Sequence, residues 1–207
     1  MTFLELPEGG EEIPLTDREA AVIAARDALI AAAQDRTRTI RARMTEIARR
    51  VGLDGIDLTS ENWIGFFQDL EKMEDTSDEN LARLMTGICD GVVPRTEEAP
   101  RAFEIPGEQA LVYFLYRYLA HSEDAEDFRA RVGFALLGTG MLLDLWRLFV
   151  TETDPRDREQ TLVEHARRFS QEVEYSEENV ERILHALRLE IRDRDRAAIS
   201  SFSARKR

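Results

Sequence analysis

Three histidines, a single cysteine and a large excess of carboxylates are the side chains that chemistry in this 207-residue chain would draw on. A carboxylate-rich metal site in a helical protein needs Glu-x-x-His on two helices, and His121, His165 and His185 stand in no such pattern. Glu181 and His185 are four residues apart. They lie opposite the apolar stripe Val180, Ile183 and Leu187, so both are expected in solvent. Cys89 falls on the Leu81, Leu84 and Ile88 side of a helix, where a lone thiol acts as a small buried residue rather than a nucleophile. The Gly138, Thr139, Gly140 step follows an apolar run and lacks the Lys-Ser/Thr pair of a phosphate loop. No Gly-x-Ser-x-Gly nucleophile turn occurs. The acids Glu71, Glu74, Asp75, Asp78 and Glu79 crowd one turn without the alternating ligands and internal glycine of a calcium loop. The sequence therefore offers no catalytic, metal or cofactor-binding residues, and the reading leans against an enzyme.

Charge gives a different candidate. The net charge of −13 disfavours sequence-independent binding to nucleic acid, yet Arg36, Arg38, Arg41, Arg43, Arg49 and Arg50 cluster within fifteen residues. Arg36, Arg43 and Arg50 share a helix face, and no aromatic residues interleave for base stacking. The cluster fits ion pairing with the acidic remainder at least as well as phosphate binding. These six arginines, with the aromatic residues Phe114, Tyr118, Trp146 and Phe149, are the candidate interaction residues. Cys89 cannot form an intramolecular disulfide, and the opening MTFLELPEGGEE lacks the basic and apolar regions of a secretory signal. The expected location is the cytoplasm.

The elements that must position these residues are helical throughout. After an extended arm over residues 1–15, Thr16 and Glu19 form a capping box for a long helix whose Ala20, Ile23, Ala24, Ala28, Ile30 and Ala31 are spaced for one face. It is expected to bend or break near Thr37 and to end at Gly52 and Gly55. Trp63, Phe66, Phe67 and Leu70 follow at helical spacing, then Leu81, Leu84, Met85 and Ile88 behind a Ser77 cap. Residues 91–107 hold three prolines and two glycines, the longest irregular connection and a subdomain boundary if there is one.

A central helix is expected from Glu108 to His121. The uncharged run from Val132 to Leu143 spans only about 18 Å as a helix against the ~30 Å of a hydrocarbon core, so it reads as buried. Leu162, Val163, Ala166 and Phe169 form the next inward face, and Val180, Ile183, Leu184, Leu187 and Ile191 the last. Beyond Asp193 periodicity fades into a frayed tail, basic over 201–207. The expected fold is all-α: one domain over 16–200, a bundle of about seven helices.

The segment NWIGFFQDLEKMEDTSDENLARLMTGICDG, Asn62 to Gly91, resembles a helical domain of uncharacterised bacterial proteins that is similar to the abortive-infection alpha proteins of phage resistance. Trp63, Phe66, Phe67, Ser77, Asp78, Glu79, Leu84, Ile88 and Gly91 stand at matching places. The upstream RTIRARMTEIARRVGL is similar in kind, extending the likeness to about 38–92. Asn62 replaces an acid, and Met85 stands where that pattern has a tryptophan. The resemblance implies a helical protein of bacterial or prophage origin with a role in phage defence, and brings no catalytic residue. The leading expectation is a non-enzymatic protein–protein interaction protein, joined to a protein partner or to copies of itself. The alternatives are a membrane-acting effector that releases the helix 132–150, and a nucleic-acid-associated protein using the arginines 36–50.

Overall fold

Threonine hydroxyls start the first three helices. In the computed structural model, which describes residues 16–71, 86–87, 101–150, 154 and 156–204, Thr16 and Glu19 form the expected capping box at the head of α1 (Asp17–Ala33). The Thr16 amide donates to Glu19 Oε2 at 2.8 Å, and the Glu19 amide donates to Thr16 Oγ1 at 3.2 Å. The chain breaks over Gln34–Thr39, where the Thr39 side chain caps α2 (Ile40–Arg50) by accepting from the Ala42 amide. Thr59 caps α3 (Ser60–Gln68) in the same way. Between α2 and α3 the backbone turns through Gly52 (φ 67°) and Gly55 (φ 97°), a left-handed geometry that a side chain would strain.

A 3₁₀ turn at Arg101–Phe103 leads into α4 (Glu104–Leu119). This corrects the expectation that the irregular connection runs to residue 107. Pro106 lies in the first turn of α4, where an amide has no intrahelical partner to lose. Gly107 is needed there for close approach: a Cβ at that position would lie 3.0 Å from Leu143 Cδ2 and 3.1 Å from Ile40 Cγ1. α5 (Ala125–Val150) is the axis of the molecule. Every residue from Val132 to Trp146 is buried, as the uncharged run to Leu143 requires. It packs most extensively on α4 and then on α7, with α6, α2 and α3 completing the shell and α1 laid against α4 and α2. Gly133 admits Leu187 of α7, and Gly138 admits the rings of Phe114 and Phe169.

α6 (Arg158–Phe169) runs into a π-helical turn at Ser170–Glu174, followed by α7 (Glu177–Ala204). α7 corrects the expected fraying beyond Asp193. With no glycine or proline after Ser176, two alanines at 197–198 and an Asp193–Arg196 pair at 3.7 Å, the helix continues to Ala204.

The fold is all-α, with seven α-helices among the described residues. The residues on either side of 91–100 share one contiguous core. Two expected faces differ. In α1 the buried residues are Leu29, Ala32 and Ala33, while Ala20, Ala24, Ala28 and Ala31 face solvent, because alanine spacing alone does not choose a side. In α6, Val163 is 62% exposed. The helix after Ser77, Cys89, the arm 1–15 and residues 205–207 lie outside the described residues, apart from Thr86 and Gly87.

Candidate functional site: an aromatic cleft over the central helix

The clustered arginines are engaged within the chain. Arg43 is fully buried: its guanidinium donates to Glu108 Oε2, Glu104 Oε2 and the Ala33 carbonyl, each at 2.7 Å. Ala33 ends α1, so Arg43 satisfies a carbonyl the helix leaves open. Glu104 Oε2 in turn accepts the Ile40 amide at 2.8 Å in the first turn of α2. One arginine thus ties the end of α1 and the start of α2 to α4. Arg36 reaches Glu108 at 2.8 Å from a more exposed position. It holds the Glu108 carboxyl below the usual glutamate range, and Arg43 adds to that against the cost of burial.

Arg41 pairs with Asp144 of α5, whose other oxygen accepts from Ser60 Oγ at 2.6 Å. Arg49 and Arg50 pair with Glu46 at 2.9 Å, and Arg38 approaches the same carboxylate at 3.9 Å. These two bonds hold Glu46 at about 2. Every guanidinium of the cluster therefore has a carboxylate beside it, the arrangement of ion pairing rather than of an open phosphate track.

The aromatic candidates converge elsewhere. Phe114 of α4 and Trp146 of α5 line an open cleft of about 370 Å³ between α4, α5 and α6. Its walls include Tyr113, Leu142, Leu162 and Val163. Tyr113 and Val163, 44% and 62% exposed, form opposite rims, while Phe114, Leu142 and Trp146 form a buried floor. Phe114 is fixed edge-on to Phe134 and Phe169, with ring centroids 5.9 and 6.1 Å apart. Trp146 Nε1 donates to the Leu162 carbonyl at 3.2 Å, which sets the indole against α6. The third described aromatic, Tyr118, lies behind the cleft. The side chain of Phe149, the fourth aromatic candidate, lies outside the described residues.

The polar end of the cleft is Glu174, which sequence reasoning missed. The π-helical turn swings it inward, and it is buried. The Tyr118 hydroxyl donates to Glu174 Oε1 at 2.8 Å, and Arg117 lies 3.4 Å from the same oxygen. Burial, followed by the Glu174 charge, pushes the Tyr118 and Tyr113 hydroxyls above the usual tyrosine range, so both keep their protons. Glu159 is the other acid of the lining, which holds two carboxylates and no basic side chain. No sequence signal marks Glu174, since a π turn is set by packing. Glu104 and Glu108 had one: two acids at i, i+4 on a helix between apolar neighbours call for buried partners.

His121 and His185 are exposed and His165 is part-buried on α6. Among the described residues no group of three His, Cys, Asp or Glu side chains is placed to hold a metal ion. Nor is any described helix long and apolar enough to cross a membrane.

Fold and cleft together define the class: an all-α protein with one core and a solvent-open aromatic cleft over its central helix. No protein-family model, no curated protein and no solved structure matches this chain.

Proposed function

We propose that this protein is a non-enzymatic interaction protein that seats an apolar helical segment of a protein partner in the cleft between α4, α5 and α6. The observation that carries the reading is the construction of the cleft. A rigid aromatic and aliphatic floor is flanked by Tyr113 and Val163, an aromatic and an aliphatic side chain left in solvent. Tyrosine and tryptophan in such a setting supply contact area at low entropic cost. An amphipathic helix offers the matching form, placing side chains three and four residues apart into one groove. The exposed carboxylate of Glu159 favours a partner with Lys or Arg beside its apolar face. The proposal extends to a protein of bacterial or prophage origin that acts in phage defence, a reading supported by the resemblance of residues 38–92.

A photo-crosslinking side chain at Gln109, an exposed position on the cleft lining, tests the proposal. It is expected to trap a defined partner in cells of the source organism, and Val163→Glu, which sets a charge on the opposite rim, is expected to abolish that product. Identical crosslinks with and without Val163→Glu, or none at all, would overturn the cleft as the working surface.

A further inference from the structure

The solvent face of α7 is self-complementary. Opposite its buried stripe, Glu178, Glu181, His185, Leu189, Arg192, Arg196 and Ile199 recur in steps of three and four residues, so they share one face, and all are exposed. The first half of this face carries Glu178 and Glu181, the second half Arg192 and Arg196. Leu189, 47% exposed, stands near the middle. Glu181 lies eight residues before Leu189 and Arg196 seven after it; Glu178 lies eleven before and Ile199 ten after.

We propose that α7 pairs antiparallel with α7 of a second copy about a two-fold axis at Leu189. In that register the two Leu189 side chains meet at the axis. Glu181 faces Arg196 of the second copy, and the contact occurs twice by symmetry. Ile199 lies along the aliphatic part of Glu178. His185 meets Arg192, which Glu126 already neutralises at 2.6 Å, with Asp193 alongside. The antiparallel arrangement also sets the positive end of each helix dipole beside the negative end of the other.

Two features select a second copy as the occupant. The face is charge-complementary to its own reverse, the property an isologous contact requires. The helix, 28 residues and about 42 Å long, also continues past the ion pairs Arg194–Asp54 and Arg129–Asp195 that tie it to the body. Beyond them Arg196 to Ser200 are exposed on every side. Exposed helix gains little stability from its own backbone in water, and a partner helix along this face adds burial. The inference stands on α7 and is independent of the cleft. Joined to it, the dimer would present two clefts at once and raise the avidity for a repeated partner.

Sedimentation equilibrium from low micromolar to several hundred micromolar protein tests the pairing. The unmodified chain is expected to show a monomer–dimer equilibrium. Glu181→Arg and Arg196→Glu each place like charges together twice and are expected to weaken dimerisation about tenfold or more. The double variant Glu181→Arg/Arg196→Glu restores opposite charges and is expected to recover the dimer. Glu181 and Arg196 side chains are 64% and 79% exposed, and their pairs with Arg188 (3.8 Å) and Asp193 (3.7 Å) lie at the surface, so circular dichroism should be unchanged and melting should fall only slightly with each substitution. A strict monomer throughout, single reversals without effect, or a double variant as weak as the singles would each overturn the proposal. A dimer dissolved by Val163→Glu would move the self-contact to the cleft and overturn it as well.

Discussion

Arg43 and Arg49 differ only in what their positions ask of the same side chain. Arg49 is a surface residue in an i, i+3 pair with Glu46, and Arg49→Ala is expected to change stability by no more than about 0.5 kcal/mol. Arg43 holds two carboxylates and a helix-ending carbonyl in the interior. Arg43→Leu would leave Glu108 buried with only Arg36 beside it and take a partner from Glu104, at a cost of about 3–5 kcal/mol in urea unfolding. Arg43→Lys is expected to recover little of this, because a single ammonium cannot serve three acceptors held by a planar fork. Sequence showed that arginines cluster and that ion pairing competes with phosphate binding. It could not show which arginine turns inward, since Arg36, Arg43 and Arg50 share a face by spacing alone and only Arg43 is buried. That choice is made by Glu104 and Glu108, some sixty residues away in the chain.

At the scale of elements, a glycine is informative through what surrounds it. Gly107 in the first turn of α4 has Leu143 and Ile40 within 3.1 Å of where a Cβ would stand. Gly107→Ala is expected to push α4 away from α2 and α5 and to destabilise by about 1–3 kcal/mol. Gly65 lies in the exposed side of α3 with nothing within 4 Å. There the same change relieves the entropic penalty of a mid-helix glycine, and Gly65→Ala is expected to stabilise by about 0.5–1 kcal/mol. Thermal melts of the two variants, opposite in sign, check both. Helix existence was legible wherever caps and apolar period agreed, as for the Thr16 box and the Val180 to Ile191 stripe. Boundaries failed where local rules point both ways. Pro106 and Gly107 read as loop residues, yet each is admissible in the first turn of α4. The arginine-rich end of α7 looked aperiodic because, among the described residues, no core face continues past Ile191.

For the molecule as a whole, the all-α class and the buried central helix follow from composition and the uncharged run beginning at Val132, whereas the ion pairs that lock the helices together depend on distant partners. Those pairs make acid the weak direction. Glu108 joins the end of α1 and the start of α2 to α4, and Asp127 joins α5 to α7 through Arg188, with Arg131 beside it. Arg36 and Arg43 hold Glu108 below the ordinary glutamate value of 4.5. Burial pushes Asp127 up, but Arg131, Arg188 and the Glu123 amide outweigh it and hold it below 3.8. A carboxylate depressed in the folded state stabilises fully above its unfolded value and loses that contribution as pH falls through its folded value. Unfolding stability is therefore expected to be flat from neutral pH to about pH 5 and to fall steeply below the ordinary carboxylate range. Both helix junctions weaken on acidification, because each carboxylate is held below its ordinary value in the folded state. Glu108→Gln/Asp127→Asn is expected to be less stable at pH 7 and to lose less on acidification to about pH 3, since neither group can then bind a proton. Urea titrations across that range distinguish the outcomes: equal acid sensitivity in the two proteins would show that these interior pairs do not govern stability.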